Sequence, residues 1–533
     1  MKETKSIMML LLLIPCLFLF TGCGGDKNNG GGSNLLAYTV SGTVLTGVTD
    51  YGKTLTEINI AEGITEISEK AFKDCKKLKN VTIPNSVTTI CENVFTGCNK
   101  LEKITTPFVG KTENTNLAYL FGGNSFEDNK NKVPFSLKEV VLTNCSNLGF
   151  GTFSYCMSLT NVTIPSTVTE IGDGSFYGCS SLTNITIPNG VISIETTAFG
   201  LCQNLTSITI PSSVTSIGKR AFYSCYKLVE VKNLSSLNIV AGSDDFGGVG
   251  YYAKRIYTEG ESYVLTDANG FITYNDGTEV YLVAYLGKEE NITIPNNVTI
   301  INTWAFRNTY VSNVLIPKSV KIISDSGFEY STLLKNVTFE DNSNLESIEY
   351  GAFQYCNILK SVDFGANSKL ENIGDFAFNQ CFDLTSIEIP SSVTSIGISV
   401  FEECDKLTYN IYDNAKYLGN SENPYLILIE SINDEITSCM IHSDTKIIYN
   451  FAFSSCSNLV NITIPSNVTN IGSSIFNNCG RLTSVFFENP IGWKVVYRWG
   501  EETIEISSEA LSDTSTAATY LKSTYNNYYW ARG

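Results

Sequence analysis

A unit of 23 residues recurs along most of this 533-residue chain, and its signature is a phenylalanine placed three residues before a cysteine. Cys179, Cys202 and Cys225, for example, follow one another at this interval. There are eleven such Phe-x-x-Cys units, and two further units carry Thr309 or Ser331 in place of the cysteine, which gives about thirteen repeats. A fixed period in this range indicates a solenoid, in which each coil contacts only its neighbours.

The unit at residues 205–225 shows how one coil is built. Ile208 and Ile210 alternate with an outward Thr209, which predicts one short strand per unit, and Pro211 ends that strand because it has no N–H group. A second extended segment then turns further apolar side chains inward. Roughly six buried side chains at about 1.5–3 kcal/mol each do not offset the cost of ordering the backbone, about 1–2 kcal/mol per residue. A coil is therefore stable only when stacked.

The consensus L-x-x-[IV]-x-I-P-x-x-V-x-x-I-x-x-x-A-F-x-x-C, found from about residue 55 to 488, resembles the BspA-like leucine-rich repeat of bacterial surface proteins. The resemblance implies an elongated, β-rich leucine-rich-repeat solenoid with insertions. It also implies an adhesin or host-contact protein rather than an enzyme. The sequence departs from the pattern at Leu315, which replaces the outward polar residue of one strand, and at Thr309 and Ser331 in the cysteine position.

Residues 1–22 have the layout of an export signal. Two lysines precede an apolar run from Ile7 to Phe20, and small residues precede Cys23. This arrangement resembles a bacterial lipoprotein signal, in which Cys23 is lipidated; an ordinary secretory signal with an incidental cysteine is the alternative. The run is shorter than the about 20 residues of a spanning helix. Residues 23–34, rich in Gly and Asn, are expected to form a flexible tether. We therefore expect an exported lipoprotein, anchored in the membrane and exposed at the cell surface.

The chain is acidic, with 53 Asp and Glu against 36 Lys and Arg and a formal net charge of −17. The negative net charge argues against nucleic acid or an anionic membrane surface as a partner. Charged residues make up only 17% of the chain, below the usual quarter, so Asn, Ser, Thr and Tyr must form much of the surface. The expected partner is an extracellular protein or glycan, in addition to the membrane that would hold the lipid on Cys23.

Sixteen cysteines in an exported protein would ordinarily suggest disulfides, but eleven of these occupy one column of the repeat. Equivalent side chains in such a column point in parallel, and hydroxyl residues replace two of them, so we expect buried free thiols. Cys91, Cys145 and Cys439 lie outside the column and are the candidates for a paired or reactive thiol. With one histidine and no Cys-x-x-Cys pair, the sequence predicts no metal site and no cofactor.

The solenoid predicted for residues 35–488 is interrupted three times, and residues 489–533 are expected to cap its end. The interruptions are residues 107–136, 232–290 and 409–445. Asn-Gly and Asp-Gly pairs in the second interruption predict a small β excursion. Insertions of this kind often carry binding function, whereas the alternative is that they are distorted repeats that continue the core. Tyrosines in the last two segments are candidate binding anchors: Tyr281, Tyr285, Tyr417 and Tyr425.

A second candidate surface is the column of outward threonines on successive strands, represented by Thr163, Thr186 and Thr209. A regular array of hydroxyl groups can bind a glycan, although threonine is also simply favoured in half-exposed strands. With His442 as the single histidine, no catalytic triad has support, and no catalytic residue is predicted. The sequence favours a surface protein that mediates adhesion to or binding of host or microbial surfaces. The alternative is a structural envelope lipoprotein without a specific external ligand.

Overall fold

The computed structural model describes residues 36–111, 115–497 and 502–532. The chain is a β-solenoid of about 19 turns, which confirms the predicted fold. The turns outnumber the thirteen repeats because further coils do not match the repeat pattern. The signal, the tether and Cys23 lie outside the described residues.

The first of two parallel ladders, here called the long-strand ladder, is formed by the Ile-x-Ile segment of each repeat. In Ser207–Ile210, Ile208 and Ile210 are buried and Thr209 is exposed, as the alternation predicts. Parallel pairs such as Ile208 with Val231 keep equivalent positions in register from coil to coil. The ladder consists of sheets of five, three, five and two strands. Its strands are Glu57–Asn59, Asn80–Thr82, Lys103–Thr106, Glu139–Leu142, Asn161–Thr163, Ser207–Ile210, Glu230–Asn233, Arg255–Tyr257, Asn291–Thr293, Asn313–Ile316, Asn336–Phe339, Ser361–Asp363, Ser386–Ile387, Asn461–Ile464 and Ser484–Phe487.

The second extended segment of each repeat also forms a parallel ladder, here called the short-strand ladder, so most coils have two strands rather than the one expected. Each strand has two residues, and the second is an isoleucine that faces the core in nearly every coil. Its strands are Glu66–Ile67, Thr89–Ile90, Glu170–Ile171, Ser193–Ile194, Ser216–Ile217, Ile300–Ile301, Ile322–Ile323, Ser347–Ile348, Asn372–Ile373, Ser395–Ile396, Ile447–Ile448 and Asn470–Ile471.

A column of stacked phenylalanine rings fills the core between the ladders. The Phe199 ring lies 5.2 Å from those of Phe176 and Phe222, with interplanar angles of 2° and 17°. Beside it runs the cysteine column, in which eight of the eleven Sγ atoms donate to the phenylalanine carbonyl oxygen of the preceding coil. Cys202 Sγ, for instance, lies 3.2 Å from the Phe176 carbonyl oxygen. Ser331 Oγ makes the same bond to Phe306, at 3.0 Å, which explains why a hydroxyl residue is tolerated there.

Each coil turns sharply on both sides of its phenylalanine, and both turns use left-handed backbone. Thr197 and Leu201, two residues before and after Phe199, have φ of 50° and 58°. Glycine occupies this position in the preceding coil, where Gly174 has φ of 56°. Left-handed backbone strains side chains with a Cβ, and a β-branched residue such as Thr197 most of all.

The first interruption continues the core, which was the alternative to a binding insertion. Lys103–Thr106 pairs in parallel with Glu139–Leu142, so residues 107–136 belong to one enlarged coil. Within it, Phe121 fills the ring column, with its centroid 6.0 Å from that of Phe95.

The other two interruptions contain antiparallel meanders, and each starts a new stack of coils. The first meander is Val264–Thr266, Phe271–Asn275 and Val280–Tyr285, and the second is Asn410–Tyr412, Ala415–Leu418 and Ile427–Ser431. The last strand of each pairs in parallel with the next short strand, Leu282 opposite Ile301 and Leu428 opposite Ile448. The N-terminal hairpin of Tyr38–Ser41 and Val44–Val48 does the same. The chain therefore has three stacks, which begin near residues 38, 264 and 410.

The C-terminal residues close the third stack. Tyr528–Arg532 pairs antiparallel with both Asn470–Ile471 and Trp493–Tyr497, and the latter also pairs with Thr503–Glu505. Trp493 and Trp530, which belong to two of these strands, are buried. The helical segments of the chain are short: Gly52–Thr54, Leu117–Phe121, Phe126–Asp128, Asn129–Lys132, Asp245–Gly248, Ser508–Ser512, Thr514–Thr519 and Tyr520–Thr524.

Candidate functional site

The candidate threonines lie on the outer surface of the long-strand ladder. Thr163 is the last residue of its strand, and Thr209 lies within its strand. Both are exposed, and each lies between two buried aliphatic residues. Thr186 is exposed at the equivalent position, although its segment is not a regular strand. Successive coils in such a ladder are about 4.8 Å apart. The hydroxyl groups therefore form a row with a short, constant repeat.

The structure corrects two of the four tyrosine anchors. The side chains of Tyr285 and Tyr417 are 2% and 0% exposed, so neither can protrude toward a partner. Tyr285 is buried because it begins the ring column of the second stack: its N–H donates to Ala305, as Phe199 donates to Ala221 in the first stack. Tyr417 packs in the core of the third stack, where its hydroxyl oxygen accepts the backbone N–H of His442.

Tyr281 and Tyr425 are half-buried. The Lys254 ammonium lies 4.1 Å from the centroid of the Tyr281 ring. Tyr425 stacks on His442 with centroids 4.1 Å apart, and Tyr412 meets the same imidazole edge-on. His442 Nδ1 accepts the N–H of Asp444. The histidine is thus a member of an aromatic cluster, and its imidazole has no nucleophile as its hydrogen-bond partner in the described residues.

No disulfide joins any of the fourteen cysteines of the described residues, as expected for the column. Burial raises the thiol pKa of Cys225 to about 12, so that thiol is protonated and unreactive at neutral pH. Outside the column, Cys439 is buried, and burial raises its pKa to about 12 as well. Cys91 is half-exposed, and its pKa is raised by burial and by the Glu66 carboxylate.

The first and second stacks meet at a cleft of about 230 Å³, here called the junction cleft. Tyr226 and Lys227, directly after Cys225, line it from the first stack, and Trp304 and Arg307 line it from the second. The ring centroids of Tyr226 and Trp304 lie 3.7 Å apart, inclined by 44°. The cleft is therefore an aromatic site that carries two cationic side chains.

Lys227 is 3% exposed, and its ammonium donates to Asn204 Oδ1 at 2.9 Å. It forms no ion pair with any carboxylate of the described residues. Burial, reinforced by the neighbouring Arg307 guanidinium, lowers the Lys227 pKa to about 7. Thr309, which replaces the column cysteine in one coil of the second stack, also lines the cleft. Its buried Oγ1 has no hydrogen-bond partner in the described residues.

Sequence reasoning did not identify this cleft, because the repeat gives no sign of it. Lys227 stands two residues after its column cysteine, and Lys406 occupies the same repeat position after Cys404. The side chain of Lys406 is 61% exposed and pairs with Asp383. Lys227 differs in two ways: the preceding coil offers it the neutral Asn204 where Lys406 meets Asp383, and a second stack covers it. The contact with the second stack is not encoded in the local sequence.

In the part of the chain that the structure describes, no helix is long and apolar enough to cross a bilayer. The same residues contain no group of three or more His, Cys, Asp or Glu side chains placed to hold a metal ion.

The sequence matches the family profile described as the BspA type leucine rich repeat region, in six copies. The matched residues are 50–131, 131–246, 281–416 and 431–493, which together make up most of the chain. A comparison with curated proteins gives no match.

Among solved structures, the chain is similar to a leucine rich cell surface protein from Faecalibacterium prausnitzii, with 25% identity and a TM-score of 0.31. That alignment covers 72% of this chain and 94% of the other. A leucine-rich repeat protein from Bacteroides ovatus is 23% identical, with coverage of 84% and 92% and a TM-score of 0.28. The leucine-rich repeat protein of T. pallidum is 23% identical over 41% of this chain and 90% of its own, also with a TM-score of 0.28.

Proposed function

The chain belongs to the BspA-type leucine-rich repeat family, and on that basis we propose that it binds a macromolecule of a host or microbial surface and so mediates adhesion. The protein acts as a binding scaffold and not as an enzyme. A solenoid presents long surfaces whose side chains repeat with the spacing of the coils, which suits extended or repetitive ligands. Extracellular proteins and glycans are the partners of this kind.

The observation that carries the proposal is the exposed row of Thr163, Thr186 and Thr209 on the long-strand ladder. Each hydroxyl group both donates and accepts hydrogen bonds, and its backbone is held in place by ladder pairing or by its neighbours. Half-buried Tyr281 and Tyr425 supply aromatic surface at the two meanders. Individual contacts of this kind are weak, so adhesion would depend on many copies displayed on one cell.

Display on the cell requires export and an anchor, for which Cys23 is the candidate. Lipidation of this residue would attach the protein to the membrane through residues 23–34. A Cys23→Ala variant tests the anchor directly: the wild type should partition into a detergent phase and the variant into the aqueous phase. Equal partitioning would mean a released protein. Protease treatment of intact cells then shows whether the anchored chain faces outward.

The binding face is tested by charge substitutions and not by removal of residues 409–445, because that segment supplies buried strands of the core. We would compare adhesion of the double variant Thr163→Arg, Thr209→Arg with a matched control, Thr169→Arg, Thr215→Arg. The control pair is exposed next to the short-strand ladder of the same stack. The first variant should lose adhesion to immobilised matrix proteins or glycans, and the control should keep it.

Equal loss in both double variants would place the contact elsewhere than the threonine row. An anchored, outward-facing wild type that adheres to no host or microbial surface would instead favour the envelope scaffold. Turnover of a substrate by the purified chain would contradict both functions.

A further inference from the structure

We propose that the junction cleft is a binding site for a carboxylate-bearing saccharide, in which Lys227 and Arg307 hold the carboxylate and the Tyr226 and Trp304 rings support the sugar. This site is separate from the threonine row. The proposal does not depend on adhesion, because the cleft could serve a surface protein or an envelope scaffold equally.

The first step of the argument is the charge of the cleft. An ammonium group buried to the extent of Lys227 is normally paired with a carboxylate, since an isolated charge is costly to remove from water. Here its polar partner is the neutral amide of Asn204, and the neighbouring charge that acts on it is a second cation, Arg307. The chain has more acidic than basic residues, yet none of the residues lining this cleft is acidic. The missing counter-charge is what an anionic ligand would supply.

The nearest carboxylate on the Trp304 side is already engaged. Glu329 accepts the indole N–H of Trp304 at 2.5 Å and does not line the cleft. The Arg307 guanidinium lies 4.9 Å from the centroid of the Tyr330 ring and forms no ion pair in the described residues. Neither cation is therefore paired with a carboxylate of the described residues. A guanidinium offers two parallel donors to one carboxylate, and a lysine adds a third.

The second step concerns the rest of the ligand. The remaining polar lining is made of amide and hydroxyl groups, among them Gln203, Asn204, Asn308 and Thr309. Such groups both donate and accept hydrogen bonds and so suit the hydroxyl groups of a sugar. Among the described residues the Thr309 hydroxyl has no hydrogen-bond partner, which a ligand in the cleft would provide. A free amino acid would bring an ammonium group as well, and no acidic residue lines the cleft to receive it.

The third step is shape. A cleft of about 230 Å³ is smaller than the pockets of drug-sized ligands, about 300–1,000 Å³, and so suits a single sugar ring. The indole of Trp304 and the phenol of Tyr226 provide an apolar surface for the C–H groups of such a ring. A uronic acid or a sialic acid combines this apolar face with hydroxyl groups and one carboxylate.

The test uses the chain from residue 24 onward, which contains every described element, and follows binding by saturation-transfer NMR and by titration of Trp fluorescence. The probes are D-glucuronate, D-galacturonate and N-acetylneuraminate, with D-glucose, D-glucose 6-phosphate and inorganic phosphate for comparison. We expect at least one acidic sugar to bind at least tenfold more tightly than D-glucose. Binding should weaken at least tenfold in Lys227→Met and in Arg307→Gln.

Lys406→Met is the matched control, because it removes a lysine at the same repeat position outside the cleft, and it should bind like the wild type. Lys227→Met relieves a buried charge and is not expected to unfold the chain, which thermal melting would verify. Three results would overturn the proposal: no acidic sugar binds, D-glucose binds as tightly as the acids, or Lys227→Met and Arg307→Gln bind as tightly as the wild type. Phosphate binding as tight as that of the sugar acids would reassign the cleft to free inorganic anions.

Discussion

Truncation of one ring in the phenylalanine column offers a direct measure of how strongly the coils depend on one another. Phe199 is 1% exposed and lies between two rings, each 5.2 Å away. A buried Phe→Ala change costs about 3–5 kcal/mol through lost transfer energy and the cavity that remains. Each of the two ring pairs adds about 0.5–1.5 kcal/mol beyond buried area. For Phe199→Ala we therefore expect a loss at the upper end, about 4–5 kcal/mol.

The measurement is urea unfolding followed by circular dichroism, combined with hydrogen exchange resolved by mass spectrometry. Exchange is needed because stacked coils can unfold separately, so a single transition does not report the whole chain. Protection should fall in the coils of Phe176 and Phe222, which border the cavity, and stay unchanged in the coils of Phe453 and Phe476 in the third stack. Each coil contacts only its neighbours, so the effect should fade with distance.

Phe486→Ala is the control, because this phenylalanine is exposed in the middle of the strand Ser484–Phe487. It should change stability by no more than about 0.5 kcal/mol. If Phe199→Ala costs under about 2 kcal/mol, the column does not bear the packing energy assigned to it. If protection falls equally in all three stacks, the nearest-neighbour picture of the solenoid is wrong.

Three further changes test other parts of the fold by the same unfolding measurement. Cys202→Ser should cost no more than about 1 kcal/mol, because a hydroxyl can also donate to the Phe176 carbonyl oxygen, whereas Cys202→Ala should cost about 2 kcal/mol. Equal losses of stability would show that this hydrogen bond does not contribute to stability. Thr197→Gly should stabilise the chain by about 1 kcal/mol, because glycine adopts left-handed backbone without strain. Gly174→Ala, at the equivalent position, should destabilise the chain by a similar amount. A change of stability in the same direction for both variants would contradict the backbone strain. Lys227 has a folded pKa of about 7, below its usual value, so the unfolded chain holds a proton that the folded chain loses as pH rises above 7. Lys227→Met should therefore be more stable than the wild type at pH 7, and the gap should shrink by about 2 kcal/mol at pH 9; a gap independent of pH would show that Lys227 is not desolvated.

The sequence predicted those parts of the fold that repeat. The strand Ser207–Ile210 and the Phe199 column follow from local alternation and from the 23-residue spacing, and both are confirmed. The Asn-Gly and Asp-Gly turns also placed the meander at Val264–Tyr285 correctly. The short-strand ladder was missed as a ladder because two residues are too few to show a pattern of their own.

Features that depend on contacts with a later coil or a later stack could not be predicted. The sequence predicts Tyr285 to be an exposed aromatic residue of an insertion, but its ring packs against Phe306 of the following coil as part of the ring column. Lys227 reads as an ordinary polar position after a cysteine, and only the arrival of Trp304 from the second stack buries it. The local repeat pattern indicates which side chains of a coil face inward and which face outward. It carries no information on which surface a later stack covers.

The division into three stacks has a mechanical consequence. Under tension along the chain, terminal coils would peel away one at a time, because each is held only by the ladders and rings of a single neighbour. One coil of 23 residues releases about 75–80 Å of extended chain. Where a stack begins, the strands of the antiparallel meander must separate together, so the unfolding of coils one at a time is interrupted there. A pulling experiment should therefore record runs of equal small steps divided by larger events near residues 264 and 410.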